Sequence, residues 1–310
     1  MRLGINGTGL VQKASVSAIT DHARRAHADG FSSYWLAEHP TGGFDAITVL
    51  ALVGQSVSGI ELGTAVVPTF PRHPMALAGQ ALTAHSVMPG RFTLGVGLSH
   101  APMMAQLGIG FEKPIRHLRE FLSVLMPLLE EGRVAFDGES IACDAQVFGR
   151  PEQACPVVVA ALGPQALRVA GTRTSGTTLA WVGPKTIREH IVPRISEAAE
   201  AAGRAAPRVI ATLPVCITDD EAKLREQVAM GLSMYGDLPS YKAMFEREGV
   251  AGPGDLVLAG SEEKVGEALV GMAEAGVTDF AASEFVRDPR EFERTRGFLK
   301  KWLERGVAAD

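Results

Sequence analysis

The sequence predicts an α/β protein that folds as a single (β/α)8 TIM barrel with insertions. Short apolar runs, each followed by a longer stretch with helical spacing, recur about eight times, as expected for a parallel sheet covered by helices. A chain of 310 residues suits one such barrel, and no linker or change of composition divides it. We therefore expect one domain over residues 1–310, with insertions near 133–155 and 235–255. A doubly wound sheet is the alternative.

The first half of the chain supplies four predicted pairs of strand and helix. The strands lie at residues 3–6, 33–37, 60–67 and 92–97. The first helix, at 15–29, ends at Gly30, because glycine readily takes the left-handed conformation that stops a helix. The fourth helix, at 114–131, carries leucines at helical spacing, and we expect Pro127 to kink it or end it early.

The second half resumes the alternation after an interruption. Residues 133–155 are polar and punctuated by glycine, which predicts an insertion that carries a hairpin. The next strands are expected at 157–161, 177–181, 209–217, 256–259 and 277–282, with late helices at 261–275 and 289–304. Thr218 or Asp219 should cap the helix after the seventh strand. Residues 235–255, rich in glycine, proline and aromatic residues, predict a second irregular insertion.

Composition and motifs exclude several classes of function. A net charge of −5 gives no sign of a nucleic-acid groove or a polybasic membrane patch. Cys143, Cys155 and Cys216 are widely spaced, so neither a disulfide framework nor a metal site is expected. The chain has no GxSxG elbow, P-loop or HExxH motif. No apolar run approaches the ~18 residues of a membrane span, and a cytoplasmic protein is expected.

Two histidines follow predicted strands at the end of a barrel where active sites lie. His39 comes directly after strand two, and His100 directly after strand four. The two strands are close in a barrel, so both side chains could reach one pocket. A hydrogen-bonded surface or capping histidine remains the alternative for each.

Two further strand ends could contact a ligand. The apolar strand at 157–161 turns through Gly163 and Pro164 into a helix, whose free amide groups suit a phosphate. Residues 63–70 end strand three with small and β-branched side chains, which would let the backbone approach a flat ligand. An ordinary turn and an ordinary barrel strand are the respective alternatives.

In order and spacing these segments resemble the luciferase-like monooxygenase superfamily, and within it the oxidoreductases that use the deazaflavin coenzyme F420. The segments are Trp35-Leu36-Ala37-Glu38-His39, Leu62-Gly63-Thr64-Ala65-Val66 with Pro68-Thr69-Phe70 and His73-Pro74, Pro89-Gly90-Arg91-Phe92 with Leu94-Gly95-Val96-Gly97, and Ala160-Ala161-Leu162-Gly163-Pro164. The resemblance covers nearly the whole chain.

The resemblance implies a cofactor ring inside the mouth of the barrel, against a non-prolyl cis peptide bond at Ala65–Val66. His39 and His100 would be the catalytic residues, with His100 where some relatives carry a glutamate proton donor. Trp181 and Lys185 would contact the substrate. The cofactor-binding residues implied are Glu38, Thr64, Ala65, Val66, Gly97, Leu98, Ser99, Ala160, Ala161, Leu162, Gly163, Pro164 and Gln165.

The function implied is an F420-dependent oxidoreductase that moves a hydride between C5 of the deazaflavin and a small organic substrate. An FMN-dependent luciferase-like monooxygenase is the alternative, because the two cofactors present a similar ring and phosphate. A cofactor-binding protein without turnover is a third possibility. The resemblance also implies a homodimer, and neither a nucleic acid nor a membrane is expected as a partner.

Overall fold

The computed structural model describes residues 1–11, 15–148 and 153–306. The strands are β1 (Arg2–Asn6), β2 (Ser33–Leu36), β3 (Glu61–Thr64), β4 (Val67–Pro68), β5 (Phe92–Gly97), β6 (Arg133–Asp137), β7 (Ala142–Gln146), β8 (Val157–Val159), β9 (Gly176–Ala180), β10 (Arg208–Thr212), β11 (Pro214–Ile217), β12 (Leu258–Gly260) and β13 (Asp279–Glu284).

The helices are α1 (Thr8–Val11), α2 (Val16–Ala28), α3 (Ala46–Ser56), α4 (Pro74–Val87), α5 (Ala101–Gln106), α6 (Pro114–Glu130), α7 (Pro164–Arg173), α8 (Pro184–Thr186), α9 (Val192–Ala201), α10 (Glu221–Gly231), α11 (Met234–Asp237), α12 (Pro239–Glu248), α13 (Glu262–Glu274) and α14 (Pro289–Gly306). A π-helical turn at Ile187–Ile191 joins α8 to α9, and a 3-10 turn lies at Pro253–Leu256.

Eight parallel strands close into a barrel, which confirms the predicted fold class. Their order around the ring is β1, β2, β3, β5, β8, β9, β10 and β13, and β13 pairs with β1 to close it. Each barrel strand is buried on both faces over most of its length, as expected when helices cover the outside and side chains fill the inside.

The predicted strand at 256–259 exists as β12 but is not part of the closed ring. Within the described ranges it pairs with β11 alone. The seventh barrel strand is divided at Leu213 into β10, which pairs with β9, and β11, which pairs with β12 and β13. Pro214 has no amide hydrogen to continue the ladder, which explains the division.

In its described part, the first predicted insertion contains the expected hairpin, while residues 149–152 of that insertion lie outside the described ranges; the second insertion is not irregular. β6 and β7 form an antiparallel hairpin whose ends pair Arg133 with Gln146. Residues 235–255, expected to be irregular, instead contain α11, α12 and the 3-10 turn. Helix α12 starts with Pro239, which favours a first helical turn, and it buries Met244 and Phe245. The apolar residues there form the buried face of a helix.

Two local predictions about helix ends differ from the structure. Helix α6 continues through Pro127 to Glu130, so this proline does not end the helix early. The N-cap of α10 is Asp220, whose side chain accepts from the amide of Lys223. The Thr218 hydroxyl donates to Glu291 at 2.7 Å instead, and Asp219 pairs with Arg294.

Charged residues close the end of the barrel where the strands begin. Arg208, the first residue of β10, donates to Glu61 of β3 at 2.8 Å and to Asp279 of β13 at 2.8 Å. Burial alone would raise the pKa of Asp279, but the hydrogen bonds and charge of Arg208 outweigh it and lower that pKa. The fully buried Trp35 lies above Arg208, with 5.9 Å from the guanidinium carbon to the ring centre.

This arrangement leaves the C-terminal mouth as the end of the barrel that can take a ligand. Trp35, Val158, Ile210 and Ala281 form a buried cluster inside the ring, and the partly buried Ala65 packs against it. A ligand that enters the mouth would therefore rest on a solid floor next to Ala65.

We expect Arg208→Ala to lower the free energy of unfolding by about 3 kcal/mol, because it leaves two largely buried carboxylates with only the half-exposed Arg2 as a cation. Urea denaturation at pH 7 measures the change. Arg133→Ala, at an exposed arginine of the β6–β7 hairpin, is the matched control and should change stability by less than about 0.5 kcal/mol. Equal losses in the two variants would contradict the structural role of Arg208.

Candidate active site

Two strand ends at the mouth carry non-glycine residues in the left-handed backbone region. Ser99, after β5, has φ 62°, and Trp181, after β9, has φ 59°. Residues other than glycine adopt this conformation at a cost, and such residues cluster at functional sites. Both positions belong to the site predicted from the sequence.

The peptide bond Ala65–Val66 is cis, as the family resemblance implied. It lies between β3 and β4, where the chain bulges before pairing with β5. The amide of Ala65 donates to the carbonyl of Leu36 at 2.7 Å, and the carbonyl of Val66 accepts from the amide of Glu38 at 3.0 Å. The bulge is thus tied to the strand that carries His39.

Small residues make room for the bulge. A Cβ atom added to Gly97 would lie 2.6 Å from Cγ2 of Val66 and 3.2 Å from Cβ of Ala160. The Thr64 hydroxyl donates to the carbonyl of Gly95 at 2.8 Å and accepts from its amide at 2.7 Å. Since Thr64 is fully buried, its polar atom serves the wall of the site and not a ligand.

The carboxylate of Glu38, predicted to contact the cofactor, is already engaged inside the protein. It accepts from Arg72 at 3.0 Å and from the amide of Ala46 at 3.3 Å. Arg72 also donates to Asp45 at 2.7 Å. Glu38 therefore holds the loop after β2 in place.

His39 belongs to that loop and lines a cavity of about 250 Å³ at the mouth. The loop is held at both ends: Glu38, directly before His39, pairs with Arg72, and Asp45 caps helix α3. The other lining residues are Glu38, Pro40, Gly42, Gly43, Phe44, Asp45 and Arg72. Within the described part of the chain, His39 has neither a hydrogen bond nor a ring contact with His100.

His100 lies in an aromatic group that the sequence did not reveal. Its ring centre is 6.2 Å from that of Tyr235 and 5.6 Å from that of Tyr241. Tyr235 also lies 5.7 Å from Trp181, so the structure joins the predicted His100 and the predicted Trp181 through residues of α11 and α12. Burial lowers the pKa of His100, which favours a neutral imidazole at pH 7.

A second missed contact lies on the strand-three side of the barrel. Phe70 stacks on His117 with 3.9 Å between ring centres and an angle of 9°. His117 also shares a hydrogen bond of 3.1 Å with Thr69. These contacts give His117 a structural role on this side of the barrel.

The one feature of the sequence that marks Tyr235 and Tyr241 is that tyrosine is rare in this chain. The chain has 3 tyrosines, and Tyr235 and Tyr241 are two of them. Periodicity could not place them, because α11 is a helix of 4 residues.

The turn after β8 leads into helix α7, and its first residues are held by contacts inside the protein. Ala160 donates to the carbonyl of Val96 at 2.8 Å, Ala161 is buried, and the carbonyl of Leu162 shares a hydrogen bond of 2.8 Å with His190. Helix α7 then begins at Pro164 with Gly163 as N-cap and no side-chain cap.

The N-terminus of α7 begins with a proline and has no side-chain cap, as is also the case for α6. Helices α2, α3, α10 and α13 each have a side-chain oxygen as cap, from Ser15, Asp45, Asp220 and Ser261. In α7 the first free amide belongs to Gln165, because Pro164 has none. No atom lies within 4 Å of the place a Gly163 Cβ would occupy, apart from chain neighbours. Free donors beside open space fit a phosphate.

Lys185 is exposed at the start of α8. Its backbone amide donates to Glu248 at 3.2 Å, and the amide of Thr186 donates to the same carboxylate at 2.7 Å. The structure records no contact between Lys185 and the aromatic group around His100, so its substrate role stays a prediction.

Other kinds of site find no support in the described ranges. No cluster of three or more histidine, cysteine or acidic side chains there is arranged to hold a metal ion. The three cysteines are free. No helix in the described part of the chain is long and apolar enough to cross a membrane.

The chain belongs to the luciferase-like monooxygenase family, whose sequence profile matches residues 2–279. Its relatives include enzymes named for coenzyme F420. It is 32% identical over 216 residues to an F420-dependent glucose-6-phosphate dehydrogenase of Kineococcus radiotolerans, a match that covers 66% of this chain and 64% of the relative. This match spans less than two thirds of the relative's length.

Longer matches lie at lower identity. The chain is 25% identical over 279 residues to a 5,10-methylenetetrahydromethanopterin reductase of Methanolobus tindarius, covering 88% of this chain and 84% of the relative. The crystal structure of the F420-dependent tetrahydromethanopterin reductase of Methanopyrus kandleri superimposes with a TM-score of 0.81 at 23% identity, covering 97% of each chain. That similarity establishes the barrel fold.

We expect Arg72→Ala to lower the free energy of unfolding by roughly 2 kcal/mol, because Glu38 and Asp45 lose a charged hydrogen-bond partner. The loop with His39 should become more mobile than the rest of the mouth. Amide hydrogen exchange of residues 37–45, compared with that of α7, measures this difference. Arg188→Ala, at an exposed arginine, is the control. Unchanged hydrogen exchange of residues 37–45 in Arg72→Ala would contradict the role of Arg72 in holding this loop.

Proposed function

We propose that this protein is an F420-dependent oxidoreductase that moves a hydride between C5 of the deazaflavin and a small organic substrate. The observation that carries the proposal is the uncapped N-terminus of α7 beside the Ala65–Val66 bulge. Strand β4 pairs with β5, and β5 with β8, which brings both features to one edge of the barrel. Relatives named as F420-dependent enzymes support the choice of cofactor.

In this proposal the Ala65–Val66 bulge supports the back of the cofactor ring, and Gly97, Leu98 and Ser99 contact the edge of that ring. The amides of Gly163 and Gln165 bind the phosphate, with Ala160 to Pro164 shaping the turn. When bound, the deazaflavin supplies a two-electron hydride carrier. An acidic chain must hold the anionic cofactor by such local donors, since its net charge of −5 does not attract it.

The proton that accompanies the hydride is assigned to His100. Its imidazole is partly buried beside Tyr235 and Tyr241, and its lowered pKa makes it a proton acceptor at neutral pH. When the carbon of a substrate alcohol gives its hydride to the cofactor, the hydroxyl on that carbon would give its proton to the imidazole nitrogen, which leaves a carbonyl group. His39, held by the Glu38–Arg72 pair, is assigned to orienting the substrate or ring from the other side.

The competing function is that of an FMN-dependent monooxygenase. The identity of the bound cofactor distinguishes it from the F420-dependent oxidoreductase. A homodimer and a cytoplasmic location also stay predictions from the family resemblance. Light scattering of the purified protein tests the first of these.

We expect the protein to bind F420 and not FMN, and Gly163→Asp to weaken F420 binding by at least tenfold. The new carboxylate would cap α7 in place of the phosphate and repel it. Gly163 has φ −79° and ψ 156°, which any residue adopts, so the variant should fold with equal or higher thermal stability. Gly163→Ala is the matched control and should bind F420 as the wild type does.

Fluorescence titration of the purified protein with each cofactor measures these affinities. Tight FMN binding with no affinity for F420 would overturn the proposed function in favour of the monooxygenase. Equal F420 affinity in Gly163→Asp and Gly163→Ala would contradict the assignment of the phosphate to the N-terminus of α7.

We expect His100→Ala to slow single-turnover hydride transfer by about a hundredfold, within the range for loss of a general base. In the wild type the rate should rise through the pKa of His100, below its ordinary ~6.5, and level off above it. His100→Ala should lack this step. His39→Ala should slow transfer by at least about tenfold but keep the rise of the rate with pH. A rise of the same kind in His100→Ala would contradict the assignment of the proton to His100.

A further inference from the structure

The substrate side of the mouth is walled by aromatic rings from four separate segments. His100 follows β5, Trp181 follows β9, Tyr235 lies on α11 and Tyr241 on α12. The rings of Tyr235 and Tyr241 are 5.0 Å apart at 86°, and those of Tyr235 and His100 are at 88°. Near-perpendicular rings form a corner that offers both faces and edges to a flat molecule.

This aromatic corner, defined by His100, Trp181, Tyr235 and Tyr241, carries no formal charge at neutral pH. Burial raises the pKa of both tyrosines and lowers that of His100. Its polar atoms are hydroxyl, indole and imidazole groups, which can orient one polar group of a neutral ligand. They supply no cation to balance an anionic one.

The nearby backbone donors that suit an anion are already used. After β9 and Trp181, the chain starts a helical run at Pro184 whose first amides belong to Lys185 and Thr186. Both donate to the carboxylate of Glu248, from the end of α12. A Cβ atom on Gly183 would lie 2.3 Å from Cδ of Glu248, so the carboxylate fills this position closely. The protein supplies its own anion there.

We propose that the substrate is a neutral molecule with a flat unsaturated or aromatic ring, held in the aromatic corner, and not a phosphorylated sugar. This inference rests on the proposed function and narrows its substrate. Glucose 6-phosphate, named for several relatives, would bring a dianion to a wall without cations and to backbone donors that Glu248 occupies.

The test compares two probes on the enzyme loaded with F420. Acetophenone is the neutral flat probe and glucose 6-phosphate the anionic one, and quenching of the bound cofactor's fluorescence reports binding of each. We expect acetophenone to bind at least tenfold more tightly than glucose 6-phosphate. Tyr235→Ala should weaken acetophenone binding about tenfold, because it removes one ring of the corner.

Three controls separate binding from folding. Tyr235→Phe keeps the ring and should restore acetophenone affinity to within about threefold of the wild type. Met230→Ala, at an exposed methionine of α10, should change nothing. Glu248→Ala frees the amides of Lys185 and Thr186 and should strengthen glucose 6-phosphate binding by at least fivefold, while F420 affinity stays unchanged.

The outcomes distinguish this inference from the proposed function. If F420 binds and glucose 6-phosphate binds the wild type more tightly than acetophenone, the substrate class is wrong and the cofactor assignment stands. Unchanged acetophenone affinity in Tyr235→Ala also overturns the inference. If F420 does not bind at all, the proposed function fails and the inference fails with it.

Discussion

The ion network of Arg208 with Glu61 and Asp279 determines which end of this barrel can act on a ligand. Its members are first residues of three different strands, so it joins the starts of β10, β3 and β13 at the same end of the ring. Desolvating these charges is unfavourable, and the arrangement persists because each carboxylate has a matched donor. Trp35 then fills the space above Arg208. The opposite end of the barrel is therefore the one at which we expect a ligand to enter.

The open end is shaped by backbone geometry more than by reactive side chains. The bulge at Ala65–Val66 fits because Gly97 leaves room for Val66. Thr64 fixes the same region from inside by bonding both backbone groups of Gly95. The uncapped start of α7 then adds free amides beside open space. These features are the ones that the proposed function assigns to a flat ring and a phosphate.

The two histidines have different surroundings, and this difference suggests different tasks. His39 lies on a loop held by the Glu38–Arg72–Asp45 ion cluster, so its position is fixed by charges. His100 lies among aromatic rings, and burial lowers its pKa. A histidine placed by charges suits orientation, while a desolvated one suits proton transfer near neutral pH. Sequence reasoning could not separate the two histidines, because each follows a predicted strand directly.

The sequence by itself determined the barrel, the strands that carry the site and the start of α7. These features depend on local order along the chain: apolar runs, helical spacing and a glycine–proline turn. The cis bond at Ala65–Val66 was implied only by the resemblance to the luciferase-like family, because no local pattern predicts it. Only the tertiary structure decided what depends on distant partners. It divided the seventh strand at Leu213, excluded β12 from the ring and paired Glu38 with Arg72. It also brought Tyr235 and Tyr241 from α11 and α12 against His100, more than 130 residues earlier in the chain. Such contacts follow from closure of the barrel, which no local pattern records.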